Sequence, residues 1–344
     1  MTIGKGAASG RRARRALVFC ALLAASLLML CLGVTLGSVR IPAGDVARIL
    51  LGQGPDPAQE AIVWRIRLPR VLMAALLGGA LALSGYLLQT FFSNPIAGPF
   101  VLGISSGAKM TVALTLIVLM KRIHAVSSWT LVAAAFAGAL LSVGFILLAS
   151  RRAQSMAALL VSGIMVGYIC SAVTDFAITF ADDADIVHLR SWSMGSFSGM
   201  TWEGVAAAAL ICGAGFVLTV LLAKPMGAYR MGEAYAMSVG VSVHRFRAEL
   251  ILLSSLLSAC VTAFAGPIAF VGIAVPQVIR RALGTSEPMT VIPASVLGGA
   301  VFCMACDMIA RTALAPTELN ISTVTSLFGA PVVILLMLRR GKER

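Results

Sequence analysis

The chain has 344 residues, 59% hydrophobic and 12% charged, with a formal net charge of +13. A soluble domain carries about a quarter charged residues, and several apolar runs here exceed the roughly 18–20 residues that cross a bilayer. A soluble fold is excluded, and so is a β-barrel, whose segments of about ten alternating residues do not occur; the chain is predicted to be an all-α polytopic membrane protein.

The N-terminus carries Arg11, Arg12, Arg14 and Arg15 ahead of an apolar run of about twenty residues. The apolar core of a cleaved leader is shorter, roughly 7–15 residues. The run therefore predicts a retained first span, with residues 1–15 as a cytoplasmic basic segment. Nine more spans follow. The ten lie at about 16–38, 65–92, 105–120, 128–149, 155–180, 203–223, 248–265, 268–282, 290–313 and 321–338. The seventh and eighth are short and divided by Gly266-Pro267. Residues 16–340 thus form one ten-span domain, and the tail 341–344 returns to the cytoplasm.

The charges agree with this topology. Arg151, Arg152, Lys224, Arg230, Arg245, Arg247, Arg280, Arg281, Arg339, Arg340, Lys342 and Arg344 join five N-terminal cations inside. That makes seventeen basic residues against Glu233, Glu249, Glu287 and Glu343. The outer side holds nine basic residues and eight acids. This is the positive-inside pattern, and it explains the net charge without a nucleic-acid partner. An odd number of spans would leave the C-terminal cations outside.

On this topology the stretch WRIRLPRVLMAAL, residues 64–76, places Arg65, Arg67 and Arg70 on the outer side, against the local bias. Snorkelling to headgroups explains one arginine at a helix end. Three of them, with Pro69 fixing the entry, point to a surface with a use. Arg311 near the outer end of the ninth span joins that face, and Asp307, one turn earlier, can pair with it.

A short internal echo follows. SNPIAGPFVLGI (93–104) ends the second span inside, and AGPIAFVGIAVP (265–276) ends the seventh outside. Gly/Pro-interrupted segments in corresponding positions of two halves are a mark of inverted-repeat transporters. Pro95, Pro99 and Pro267 break helices, and the freed backbone groups must face protein or water. Both points argue for a pathway between packed spans. Gly103 and Gly107, Gly163 and Gly167, and Gly195 and Gly199 are spaced for close helix contacts.

The seven cysteines all fall in apolar segments, and Cys303-Met-Ala-Cys306 has no second pair or histidine beside it. It reads as small residues at a helix contact rather than a metal site. Apart from Glu203 and Glu249 at the very ends of their spans, Asp175 and Asp307 are the only acids within spans, both toward the outer ends, so the midplane acid of a proton- or sodium-coupled carrier is missing. His124, His188 and His244 fall in predicted loops, and ADDADIVHLRSW reads as a solvated acidic outer loop. No constellation of acid, base and metal ligands supports an integral-membrane enzyme. No G-x-x-x-x-G-K-[ST] loop is present, so a partner must supply the energy. The long inner loop 224–249 can dock it, with a short helix between Gly232 and Gly240 lying across the inner face.

Three blocks carry a family likeness: RLPRVLMAALLGGALALSGYLLQTFFSNPIAGPFVLGISSGA (67–108), GPIAFVGIAVPQVIRRALG (266–284) and ACDMIARTALAPTELNISTVTSLFGAPVVILLMLRR (305–340). They resemble the FecCD-type permeases of ATP-binding-cassette importers for iron-siderophores, haem and cobalamin. The resemblance spans about residues 60–340. It implies ten spans per subunit, N- and C-termini in the cytoplasm, and a multi-pass place in the bacterial cell membrane. It implies a second permease copy or close paralogue, two cytoplasmic ATPase subunits and an extracytoplasmic substrate-binding protein. ATP and Mg would be bound by the ATPase; this chain would hold no cofactor and no metal and would not itself be an enzyme.

Residue by residue, the resemblance assigns Arg67, Arg70 and Arg311 to docking of the binding protein, leaving Arg65 as a headgroup anchor. It assigns the 232–240 segment, with Gly232, Glu233 and Gly240, to ATPase coupling, although Ala234 and Tyr235 depart from the family pattern. The inner gate loop matches Ser155, Met156 and Ala157, of which only Ser155 keeps a hydroxyl. Pro95, Pro99 and Pro267 join these as pathway candidates. The expected function is import of a metal chelate by alternating access, a ferric siderophore first, with haem and cobalamin as other cargoes. The alternative is a secondary carrier driven by an ion gradient.

Overall fold

The computed structural model describes residues 3–37, 39–54, 56–119, 128–150 and 155–340. Arg151, Arg152, His124 and the tail 341–344 lie outside the described residues. The regular elements described are helical. In chain order they are α1 (Ile3–Thr35), α2 (Ala43–Leu50), α3 (Pro57–Ala61), a π-helical turn (Ile62–Arg67), α4 (Leu68–Phe91), a 3-10 turn (Pro99–Leu102), α5 (Ile104–Leu114) and a second π turn (Thr115–Leu119). Then come α6 (Ser128–Ser150), α7 (Met156–Ile178), α8 (Asp183–Ser193), α9 (Trp202–Leu221), α10 (Ala223–Tyr229), α11 (Glu233–Ser238), α12 (Val243–Ala265), α13 (Val271–Leu283), α14 (Pro288–Thr312) and α15 (Ile321–Arg340).

Each of the ten predicted apolar segments contains a helix. Among the described residues, seven helices are long and apolar enough to cross a membrane, and Ile104–Ile117 and Ile321–Leu335 form shorter apolar helices. The first helix begins at Ile3 and runs straight through the basic cluster. The predicted acidic outer loop is instead the helix α8, with Asp183 and Asp185 in its first turn, where negative charge suits the positive end of the helix dipole. His188 lies in that helix and His244 in the first turn of α12 rather than in loops.

The helix of the eighth predicted span starts at Val271, three residues after the predicted start. Helix α13 has 13 residues, about 20 Å at 1.5 Å per residue, short of a ~30 Å hydrocarbon core. The non-helical stretch 266–270 leads into the helix, with positive φ at both ends, +73° at Gly266 and +65° at Phe270. It carries the start of α13 inward. The two echoed segments consequently meet inside the bundle instead of standing at opposite faces. A Cβ on Gly98 would lie 2.7 Å from Ile273 Cγ1, and one on Gly272 would lie 3.2 Å from Pro99 Cδ.

Unwound backbone inside a membrane needs partners, and here it has them. The Ser196 N–H donates to the Ala265 carbonyl at 2.9 Å, and Ser322 Oγ donates to that of Pro267. Pro276 has no N–H for the carbonyl four residues back, that of Gly272. Gln89 of α4 fills the gap: its Nε2 donates to Gly272 O at 3.1 Å and Ile273 O at 3.2 Å.

Helix α4 is the centre of the bundle and packs against α14, α12, α13 and α9. It is buried almost end to end, including Met73, Leu77, Leu83, Tyr86 and Leu88. Glycines allow its close contacts. A Cβ on Gly85 would meet the Gly272 carbonyl oxygen at 1.8 Å, and one on Gly78 the Gly299 carbonyl oxygen at 2.4 Å. Of the glycine pairs read from the sequence, Gly103 packs on Gly163 and Gly167, Gly107 on Gly138 and Ser142, and Gly195 on Ala265 and Pro267. Gly199 meets nothing within 4 Å; its φ of +72° is the reason for glycine there. By contrast α7 turns Ile164, Tyr168, Ile169 and Phe176 outward, as expected of a helix facing lipid or a second subunit.

Candidate functional site

Two groups of functional candidates sit at opposite ends of α4, whose 24 residues span about 36 Å. At its N-terminal end the structure brings Arg67, Arg70 and Arg311 together. Pro69 cannot donate to the carbonyl of Arg65, and the chain before it takes a π turn, a form frequent at functional positions. The turn separates the arginines. Arg65 is exposed, while Arg67, Arg70 and Arg311 are only 4%, 7% and 5% exposed.

The family resemblance implies a docking role for these three. In the structure their guanidiniums are engaged within the chain. Arg67 donates to the carbonyls of Val34 at 2.6 Å, Thr35 at 2.8 Å and Val39. Arg70 donates through Nε to both carboxylate oxygens of Asp307, at 3.0 and 3.2 Å, and through Nη1 to both of Glu318, at 3.0 and 3.1 Å. Arg311 donates to the Gly33 carbonyl at 2.6 Å and holds its Nε 3.6 Å from Asp307. Gly33 and Gly37 make room at the end of α1: a Cβ on Gly37 would lie 3.0 Å from Arg67 Nη2, and one on Gly33 3.3 Å from Arg311 Nη2.

The physical reason for the inward turn is the supply of acceptors. A frayed helix end presents unpaired carbonyls, and two carboxylates lie within reach. Buried guanidiniums are stable only when paired and hydrogen-bonded. The Asp307–Arg311 pairing was foreseen from i,i+4 spacing. The stronger Asp307–Arg70 pair and Glu318 were not, because they join residues 237 and 248 positions apart. Glu318 has a 40% exposed side chain and is the surface tip of this network.

At the other end of α4 lies the predicted coupling loop. It is more helical than expected: α10, α11 and the first turns of α12 together occupy most of it, α12 starting at Val243 rather than near 248. Gly232 and Gly240 bound α11 with φ of +123° and +86°, and a Cβ on either would meet nothing within 4 Å. They serve backbone conformation, not close packing. Ala236 pins α11 to the bundle, while Met231, Tyr235, Met237 and Val239 are exposed. Glu233 pairs with Arg247 of α12. Arg247 also donates Nε to Tyr229 Oη at 3.1 Å and sits 5.7 Å from that ring's centroid. Burial pushes the Tyr229 phenol above its usual range, partly offset by Arg247. The clasp of Tyr229, Glu233 and Arg247 fixes how α11 lies on the bundle.

The pathway candidates have local structural work. Ser155 caps α7, its Oγ accepting from Ala158 N at 3.1 Å, with Met156 and Ala157 in the first turn. The Pro95 carbonyl accepts from Gln277 Nε2 at 2.9 Å. Pro99 opens the 3-10 turn, which packs on α7. Pro267 lies in the non-helical entry to α13. Among the described residues no cluster of three His, Cys, Asp or Glu side chains is placed to hold a metal ion.

Comparison with known proteins identifies the family. The model of the FecCD transport family matches residues 21–339. The vitamin B12 import system permease protein BtuC of Escherichia coli O6:H1 is 37% identical over 300 residues, 86% of this chain and 89% of that one. The hemin transport system permease protein HmuU of Yersinia pestis is 33% identical over 320 residues, 92% of this chain and 96% of that one. A solved inward-facing conformation of a metal-chelate type ABC transporter superposes with a TM-score of 0.82 at 25% identity, covering 94% of this chain and 99% of that one. A family match across nearly the whole length, joined to this helical architecture, shows that the chain belongs to the FecCD transport family and is a multi-pass permease of the bacterial cell membrane.

Proposed function

We propose that the chain forms the membrane pathway of an ATP-driven importer that brings a metal chelate into the cytoplasm by alternating access. The observation that carries the reading is the pair of surfaces at the two ends of α4, one organised by buried arginines and one by α11, joined through broken helices. The Arg67, Arg70 and Arg311 end receives the substrate-binding protein. The three arginines act from beneath that surface, setting the position of Glu318 and of the α1 end. The α11 end, with Gly232, Glu233 and Gly240 and the exposed Tyr235 and Met237, docks one of two cytoplasmic ATPase subunits. A second permease copy completes the pathway, with Ser155, Met156, Ala157, Pro95, Pro99 and Pro267 at or near its moving parts. All ten apolar segments span the membrane, with both termini inside.

A ferric siderophore is the first cargo to test, as the broadest class of chelate. The names of the relatives, which speak of vitamin B12 and hemin, make cobalamin and haem the other two. Proteoliposomes holding the permease, its ATPase and its binding protein should accumulate one of these three only when ATP is supplied. Uptake driven by a proton or sodium gradient without ATP would overturn the reading in favour of a secondary carrier.

A further inference from the structure

Helix α5 carries a cation at membrane depth. Lys109 is half-buried there, and among the described residues its ammonium makes no hydrogen bond and no ion pair. Its depth follows from α6, a helix of 23 residues that is long and apolar enough to cross a membrane. Gly107 packs on Gly138, near the middle of α6. Thr111 Oγ1 donates to the Ala134 carbonyl at 2.6 Å, about one turn further out along α6. Lys109 lies between those two levels, about 5 Å from the midpoint of α6 at 1.5 Å per residue. In a hydrocarbon core ~30 Å thick, both headgroup layers are too far for the lysine stem to snorkel to them.

The surroundings of Lys109 are those of an interior face. One turn further along α5, Val112 and Ala113 are fully buried, and one turn back Ser105 and Ser106 are half-buried. Ser106 Oγ is turned to α7, 3.5 Å from where a Cβ on Gly167 would lie. Two turns beyond Lys109, Leu116 falls on the same side of the helix. It lines a cavity of about 360 Å3 together with His188 and Trp192 of α8. Two hydroxyls and one cation therefore form a polar line on α5 that leads from α7 toward the α8 cavity. Lysines inside a membrane are costly against lipid and turn to packed or water-filled interiors, where they mark substrate pathways. The acids of the spans are placed elsewhere. Asp307 is engaged by Arg70 and Arg311, and Asp175 is exposed near the C-terminal end of α7. An ammonium is a compact charge with three donors, and the group that completes it is an oxygen anion.

We propose that Lys109 is a cargo-contacting cation of the pathway and that the cargo is an anionic chelate, whose carboxylate or catecholate oxygens meet the ammonium with Ser105 and Ser106 beside it. The proposal rests on the pathway reading above and deepens it by fixing the sign of the cargo's charge. It favours an acidic ferric siderophore, or haem with its propionates, over an uncharged chelate. It does not depend on what drives transport.

Two measurements on the full chain test it. In a chain stripped of its own cysteines and reconstituted in lipid, Lys109→Cys should react with a charged methanethiosulfonate roughly tenfold or more faster than Leu141→Cys, because water reaches an interior face and not lipid. Leu141 is an exposed position near the middle of α6. The unmodified permease in lipid nanodiscs is then titrated with an anionic ferric tris-catecholate and with a neutral ferric tris-hydroxamate, followed by quenching of tryptophan fluorescence. The anionic chelate should bind more tightly. Lys109→Met should weaken its binding by roughly tenfold, the loss of one charge-assisted hydrogen bond, and should leave the neutral chelate unchanged. Lys109→Arg should keep most of the preference. The methionine removes an uncompensated charge, so the fold should tolerate it. Asp175→Asn should leave binding of the anionic chelate unchanged. Equal labelling of the two cysteines, equal affinity for the two chelates, no binding of either, or full binding by Lys109→Met overturns the proposal. So does an equal loss in Asp175→Asn, which would make Lys109 half of an ion pair with the second copy. Neither measurement uses ATP or an ion gradient, so failure here leaves the importer reading standing, and a gradient-driven carrier could still pass.

Discussion

Arg65, Arg67 and Arg70 are three arginines within six residues, and only their surroundings tell them apart. Arg65 stays in the open, whereas Arg70 is held between Asp307 and Glu318 and Arg67 closes on the carbonyls that end α1. Removing one member of a buried pair leaves the other charge without compensation, which typically costs about 3–5 kcal/mol. Arg70→Ala should therefore lower the thermal unfolding midpoint of the detergent-purified chain sharply. Arg65→Ala should stay within about 0.5 kcal/mol, as exposed substitutions do. Equal midpoints for the two variants would show that the Arg70 cluster does not stabilise the fold. The chemical type of these residues and their shared location near Arg311 were legible in the sequence. Their direction was not, because it depends on acceptors supplied by α1, α14 and the 313–320 loop, which come from distant parts of the chain.

At the scale of the helices, contact is governed by where a side chain is missing. Gly85 lets the backbone of α13 touch α4, and an alanine there would overlap the Gly272 carbonyl. Gly85→Ala should destabilise by about 1–3 kcal/mol, the usual penalty of overpacking. Gly144→Ala, in open space on α6, should be neutral or gain up to about 1 kcal/mol of helix propensity. Chemical denaturation of the two purified variants compares them, and equal losses would refute a packing role for Gly85. The clasp on α11 makes a second prediction. Glu233→Arg should uncouple ATP hydrolysis from uptake by putting two cations together at Arg247, and the exchange Glu233→Arg with Arg247→Glu should recover part of the coupling. A double variant no better than the single one would mean that Glu233 acts on the ATPase and not through Arg247. The sequence marked α11 by its bounding glycines. It could not show that Glu233 faces α12, since that contact is set by how the helices cross.

For the whole molecule, the expected orientation rests on the distribution of charge. In a chain stripped of its own cysteines, Val39→Cys, an exposed position before α2, should react in intact cells with a membrane-impermeant maleimide admitted through the outer membrane. Lys224→Cys should react only after the inner membrane is opened. The reverse pattern would invert the topology. Composition alone determined that this is a helical membrane protein, because no other fold satisfies the backbone of so many long apolar runs in lipid. The charge asymmetry set the expected topology, and the three motif blocks identified the family. Tertiary structure decided the rest. The Pro276-freed carbonyl found its donor in Gln89, α13 began inside the bundle after a non-helical entry, Arg67, Arg70 and Arg311 turned into the chain, and Arg230, Arg280 and Arg281 lined a cavity. Each outcome pairs groups separated by tens to hundreds of residues. Local periodicity specifies which face of a helix is apolar, but only the assembled bundle specifies which neighbour that face meets.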